Sequence, residues 1–430
     1  MGGIGMNNQR LELVADFYEY TMANGYFNKN MEDKIAYFDV FFRKVPNEGG
    51  YAIVAGLEQI INYIRNLSFD EEDISYLRKQ NKFSEEFLNY LENFRFTGDI
   101  WAIPEGTVVF PNEPLITVKA PIIQAQLLET MLLLTTNHQS LIATKTSRIV
   151  KEAQGRPVME FGARRAHGIN AAVEGARAAI IGGAVGTSCT LSAKEFNVPA
   201  SGTMAHSWIQ SFDSEYEAFK AYAELYPDDC TFLIDTYNTI ESGLPNAIKV
   251  FNEVLKPKGY RPKAVRLDSG DLAYLSKKVR KILDEAGYED CKICATNSLD
   301  EYLIKSLIEQ DAKIDLFGVG ENLITAKSEP VFGGVYKLVA LEKDKKIVPK
   351  IKVSENTAKV TNPSVKKVYR FYDNETKKAI ADVITLADEI IDEREYMIFD
   401  PQNPWKKKVL KDYSIRLLQE KIFEERKINI

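Results

Sequence analysis

From Val158 onward the chain repeats one pattern: a short apolar run, a polar glycine-rich tip, then a stretch with helical spacing. The runs are VMEF, GAVGTSC, PASGTMAH, TFLIDTY, AVRLDSGD, KICATN and LFGVG. Their ends near Phe161, Ser188, His206, Asp235, Asp268, Asn297 and Gly318 recur at intervals of 18 to 33 residues. That spacing leaves room for a helix between strands, so it predicts consecutive βα units and a parallel sheet. Seven runs in succession favour a barrel over an open sheet, although the standard barrel has eight strands.

The flanking regions obey other patterns. FFRKVPNEGGYAIVAGLEQIINYI reads as a strand, a glycine turn and an amphipathic helix, and the acidic and aromatic positions from Asp70 to Phe96 as further helices. IWAIPEGTVVFPNEPLITVKAP alternates like a small β-unit, and Gln124 to Ser147 reads as one long helix. After Tyr336 come Lys-rich hairpin-like segments and a tail, LADEIIDEREY, expected to be helical and to return to the first region. Solenoid repeats and low-complexity segments are absent from the sequence.

Composition narrows the function. At 430 residues the chain is long enough for two domains, and 45% hydrophobic with 27% charged residues is ordinary for a folded protein. A net charge of −6 gives no broad attraction for nucleic acid or anionic lipid, so an anionic substrate needs locally placed cations or backbone amides. Four cysteines make no disulfide framework. The most apolar stretch, Ile122 to Leu134, contains Gln124, Gln126 and Glu129 and cannot span a bilayer. MGGIGMNNQR has no apolar signal core, which makes the cytoplasm the expected compartment, with Met6 an alternative start to Met1.

In a βα-barrel the active site lies at the carboxyl ends of the strands, so the polar residues at these tips are informative as a set. MEFGARRAHG brings Phe161 with Arg164 and Arg165, whose guanidinium groups suit a carboxylate or phosphate; a surface pairing with a helix carboxylate is the alternative for one of them. His206 stands at a strand end, whereas His138 falls in a helical stretch and His167 just past the arginines. Asp235 follows an apolar strand and could orient a neighbouring imidazole or cap the next helix. VRLDSGDL sets Arg266, Asp268 and Asp271 around a Ser-Gly turn, a group that can bind ribose hydroxyls, magnesium or phosphate oxygens. Asn297, Ser298, Gly318 and Gly320 fall after the final strands, where barrels often bind phosphate. Leu323 replaces the third glycine of a dinucleotide fingerprint, and the lone pair Cys291 and Cys294 reads as packing.

DFYEYTM, FGARRAHG, GTSCTLSA, SGTMAHSW, VRLDSGDL and FGVGEN, in this order from about Leu13 to Leu338, resemble the nicotinate phosphoribosyltransferase family, and KVTNPSVKKVYR from Lys359 extends the likeness. The resemblance implies an α/β fold: an irregular, about seven-stranded βα-barrel over 136–338 and an α/β sandwich domain built from 1–135 and 339–430. It implies a head-to-tail homodimer with shared sites, in which Phe161 stacks on one face of the pyridine ring and Tyr18 of the neighbour on the other. Arg164 and Arg266 should meet the nicotinate carboxylate and the phosphoribosyl group, and Asp268 the ribose hydroxyls. Asn297, Ser298, Gly318 and Gly320 should surround the phosphate, and Asp271 should join the substrate-binding set. His206 matches the family's ATP-phosphorylated histidine, with Asp235 as its orienting partner, so ATP is an expected co-substrate and Mg2+ an expected cofactor.

Ser188 separates close relatives. Nicotinamide-specific enzymes carry an aspartate at this position in a GTDT motif, which would repel the nicotinate carboxylate, whereas the serine of GTSC can donate to it. The competing readings are a nicotinamide or quinolinate phosphoribosyltransferase, or a catalytically idle nucleotide-binding homologue.

Overall fold

Strand Ile35–Phe42 (IAYFDVFF) is apolar on both faces and is buried along almost its whole length. In the computed structural model, which describes residues 11–353, 355, 360–401, 403–424 and 427–428, it lies inside a seven-stranded sheet. Met1, Met6 and Lys359 lie outside the described residues. The chain divides into two units, one ending at Ser140 and resuming at Val331, the other running from Leu141 to Pro330.

In the first unit the sheet order is Lys346–Pro349, Gly334–Lys343, Ile35–Phe42, Ile116–Pro121, Asp99–Ala102, Glu420–Glu424, then 427–428. Neighbours are antiparallel throughout, and the late strand Glu420–Glu424 pairs with Asp99–Ala102. Asp39 is the one charged residue of strand Ile35–Phe42; its buried carboxylate meets Lys366 Nζ at 2.9 Å and accepts from Thr117 Oγ1 at 2.8 Å. A second sheet joins Ala379–Leu386, Lys366–Asp373 and Tyr413–Leu417.

Two sequence expectations fail here. LADEIIDEREY is not helical: it ends one strand at Leu386, turns, and begins the strand Glu395–Asp400. Its Leu386, Ile390 and Ile391 mimic helical spacing, but Leu386 is the last residue of an extended ladder with Lys366–Asp373. The long helix is broken at Leu127 and Leu128, giving Ile122–Gln126 and Glu129–Glu152. Among the described residues no helix is long and apolar enough to cross a membrane.

The second unit holds the repeated pattern. Six short strands, Gly186–Thr187, Val158–Glu160, Leu316–Val319, Lys292–Ala295, Ala264–Leu267 and Thr231–Leu233, lie side by side in that order, all parallel. Each is largely buried, and stacked rings of Phe219, Phe232 and Phe251, with centroids 4.5 and 5.4 Å apart, pack on the last strand. The seventh run, PASGTMAH, contributes a single bridge from Ala200 to Thr187. Pro199 lacks an amide hydrogen and the residues around it are small, so this run cannot build a ladder. The curled sheet therefore has a seam between the 200–204 segment and Thr231–Leu233.

Candidate active site

Phe161 and Ser188 stand one residue beyond the ends of neighbouring strands. The Phe161 amide donates to the Val319 carbonyl at 2.8 Å, and the Ser188 amide to the Glu160 carbonyl at 2.9 Å. Between them the Glu160 side chain is fully buried, accepting from Thr187 Oγ1 at 2.6 Å and from the Gly162 amide. Burial pushes its carboxyl up, against the hydrogen bonds from Thr187 and Gly162. The Phe161 ring lies over Gly318: a Cβ there would come within 2.6 Å of ring atoms Cδ2 and Cε2 and 2.8 Å of Thr296 Cγ2. Gly318 thus seats the ring.

Across the sheet, charged groups gather at the seam. Arg266 donates through Nε to Thr296 Oγ1 (2.9 Å), through one terminal nitrogen to Thr203 Oγ1 (3.3 Å) and the Met204 carbonyl (3.2 Å), and through the other to Asp268 Oδ1 (2.9 Å). Four of a guanidinium's five donors are so engaged, which leaves one terminal N–H without a partner among the described residues. Asp268 Oδ1 also accepts from Thr296 Oγ1, while Oδ2 faces His206 Nε2 at 3.7 Å. Burial opposes ionisation of Asp268, but the hydrogen bonds from Thr296 and Arg266 and the charges of Arg266 and His206 outweigh it and hold the carboxyl below its ordinary value.

His206 opens the short helix His206–Gln210, and its Nδ1 lies 3.1 Å from Thr236 Oγ1. The expected pairing with Asp235 is not formed. Asp235 instead accepts through Oδ2 from the Asp268 amide (2.8 Å) and Ser269 Oγ (2.6 Å), while Oδ1 is buried with no hydrogen-bond partner among the described residues. The Ser-Gly turn after Leu267 brings its own donors to this carboxylate, and the imidazole takes the next residue along, Thr236.

The remaining residues divide. Asn297 and Ser298 both hold left-handed backbone, φ 80° and 50°, a strained pair at a strand tip, and Asn322 Nδ2 secures it by donating to the Ser298 carbonyl at 2.9 Å. Gly320 precedes the short helix Glu321–Ile324. Asp271 caps the helix Leu272–Glu285 by accepting from the Tyr274 amide at 3.0 Å. Arg165 lies 3.9 Å from the exposed Glu321, whereas Arg164 is exposed with no ion-pair or hydrogen-bond partner among the described residues. His138 lies in the helix Glu129–Glu152, and His167 is exposed. Cys291 and Cys294 are buried free thiols pushed up by burial to about 12, which suits packing. Tyr18 belongs to the other unit, on the helix Phe17–Phe27; it is exposed, and partial burial followed by the Glu129 carboxylate raises its pKa.

Sequence reasoning passed over Glu160, Thr187, Thr203, Thr236, Thr296 and Asn322. Threonine is an ordinary strand residue, so its presence at a tip is no signal; a glutamate inside the apolar run VMEF was one.

A curled parallel sheet with ring-seating, anionic and cationic groups at its strand ends defines an α/β enzyme of the barrel class. Family models described as the nicotinate phosphoribosyltransferase N-terminal domain, family and C-terminal domain match residues 13–137, 157–384 and 365–429. A Bacillus subtilis nicotinate phosphoribosyltransferase is 46% identical over 422 residues, 98% of this chain and 86% of its own length. The crystal structure of human nicotinic acid phosphoribosyltransferase superposes with a TM-score of 0.84 at 26% identity, covering 96% of this chain and 90% of that one. That of a nicotinate-nucleotide pyrophosphorylase from Pyrococcus furiosus does so at 0.74 and 25%, covering 97% and 90%. The chain belongs to the nicotinate phosphoribosyltransferase family.

Proposed function

We propose that the chain transfers the phosphoribosyl group of phosphoribosyl pyrophosphate to nicotinate, releasing pyrophosphate and making nicotinate mononucleotide for NAD biosynthesis. The observation that carries this is the gathering of two unlike sets of groups at one end of one sheet. Phe161 on its glycine seat, with Ser188 and Arg164 nearby, suits a flat ring with a carboxylate edge. Arg266, Asp268 and His206 suit an anionic, hydroxyl-rich partner, and Asn297, Ser298 and Gly320 stay assigned to the phosphate end, whereas Gly318 serves the base side as the seat of the Phe161 ring. The catalytic domain in this reading is the barrel, 136–338.

The bond from ribose C1 to pyrophosphate breaks, the developing cation is taken by the ring nitrogen, and no residue need attack the sugar. An ionised Asp268, held so by Arg266 and Thr296, is a fitting neighbour for ribose hydroxyls and a cationic transition state. ATP enters through His206. With Nδ1 engaged by Thr236, Nε2 attacks the terminal phosphorus of ATP, the bridging P–O bond breaks, and ADP leaves. Among the described residues no three His, Cys, Asp or Glu side chains converge as a metal cage. Oxygen atoms of Asp235 and Asp268 would nevertheless suit Mg2+ held mainly by substrate phosphates, where it would neutralise the departing pyrophosphate. We also propose a homodimer in which Tyr18 of each chain covers the ring in its neighbour's site.

Pyrophosphate release with nicotinate, nicotinamide and quinolinate in parallel tests the reading. Nicotinate should be the preferred base by a wide margin. Turnover only with another base would move the assignment to that base, and none with any would leave an idle homologue. With radiolabelled ATP, wild type should acquire acid-labile phosphate and His206→Asn should not; equal labelling would end the phosphohistidine role. For the shared site, co-expressed Tyr18→Ala and Asp268→Ala subunits should form heterodimers with activity recovering toward half that of wild type. Heterodimers as inactive as both parents would confine Tyr18 to its own chain.

A further inference from the structure

Glu160 is a fully buried carboxylate with no cation within ion-pair distance among the described residues. Burying such a group is costly, and a strand that needed only packing would carry an apolar residue there. Its bonds show what it holds together. The backbone pairs in register with Thr187, and its carbonyl accepts from the Ser188 amide at 2.9 Å. One carboxylate oxygen accepts from Thr187 Oγ1 at 2.6 Å and the other from the Gly162 amide. Thr187 Oγ1 in turn accepts from the Cys189 amide at 2.9 Å. The residues fastened, Gly162, Thr187 and Cys189, flank Phe161 and Ser188. Gly162 is matched to this clamp: a Cβ there would lie 2.8 Å from Glu160 Oε1 and 2.5 Å from Ile324 Cβ.

We propose that Glu160 and Thr187 are positioning residues for recognition of the pyridine base, fixing the distance between the ring-stacking Phe161 and the carboxylate-reading Ser188. The proposal rests on the reading that these two tips bind nicotinate. The clamp touches no substrate. It acts by denying the two loops independent movement, so its loss spreads the recognition elements while leaving the Arg266–Asp268 side intact.

Thr187→Val keeps the volume and removes the hydroxyl, leaving Glu160 and the Cys189 amide each one partner short; Thr187→Ser keeps the hydroxyl. The first should raise the nicotinate KM about tenfold while the KM for phosphoribosyl pyrophosphate stays within about twofold, and the second should stay within about threefold of wild type on both. An unchanged nicotinate KM in Thr187→Val overturns the proposal, as does a parallel rise for both substrates, or equal impairment of the serine and valine variants. Should Thr187→Val not fold, Glu160→Gln, which keeps the shape and one acceptor, is read in the same way: a severalfold rise confined to nicotinate supports the clamp, and a wild-type value overturns it. Wild-type protein inactive on nicotinate would sink the functional reading itself, a failure seen before any variant is measured.

Discussion

The two sides of the barrel mouth are built on opposite electrostatic plans. At the Phe161–Ser188 side the backbone ladder is intact, and one buried carboxylate is satisfied by neutral donors only. At the seam the ladder is missing, and side chains span the gap: Arg266 reaches Thr203 and the Met204 carbonyl, and His206 reaches Thr236. Where the sheet is closed, polar groups are free to hold a shape; where it is open, they hold the wall themselves. An irregular barrel thus concentrates charge where its strands fail to pair.

The largest expected effect comes from opening the seam. Arg266→Met removes donors to three separate segments and leaves Asp268 without its cation, so kcat/KM should fall about 1000-fold. A loss below about tenfold would show that the seam is held by something else. On the other side, Gly318→Ala drives a methyl into the Phe161 ring and Thr296, with an expected destabilisation of about 1–3 kcal/mol in urea unfolding.

Titration separates the two sides further, because their carboxylates are shifted in opposite senses. Asp268 is held low, so it contributes stability that is complete above the ordinary aspartate value and lost as pH falls through its folded value. Glu160 is pushed high, so stability is lost as pH rises from the ordinary glutamate value through its folded value. Relative to wild type, Asp268→Asn should therefore lose ground as pH rises through the acid range, and Glu160→Gln should gain ground as pH rises above the ordinary glutamate value. Melting curves of the three proteins across that range check both signs; parallel curves would refute the difference in environment. The smallest effect is Asp271→Ala, which removes a helix cap: about 1 kcal/mol of stability, with kcat/KM within about twofold of wild type. A large activity loss there would return Asp271 to the substrate.

The strand tips could be read from the sequence because a buried parallel strand is a short apolar run, and its carboxyl end must turn polar where it meets solvent or substrate. Phe161, Ser188, Asp235, Asp268 and Asn297 fall at or just past strand ends in this way, whereas His206 opens a short helix after a run that forms no strand. Pairings between tips could not be read, since they depend on which strands become neighbours. Asp235 serves the Asp268 loop because those strands adjoin. Gly318 looked like a phosphate contact, yet its missing side chain makes room for a ring on the neighbouring strand's tip. PASGTMAH read as a strand by position, but its proline and small residues leave only one bridge. LADEIIDEREY failed because a turn between two strands can carry apolar residues at helical spacing.

If the closed side reads the base and the seam handles the phosphoribosyl group, damage to each should show in the constants of its own substrate. The deciding measurement is a steady-state comparison of wild type, Gly318→Ala and Asp268→Asn, varying each substrate against saturating amounts of the other. Gly318→Ala should raise the nicotinate KM about tenfold with little change for phosphoribosyl pyrophosphate. Asp268→Asn should lower kcat and raise the KM for phosphoribosyl pyrophosphate, each by about tenfold or more. Constants for both substrates moving together in both variants would refute this division of the barrel mouth.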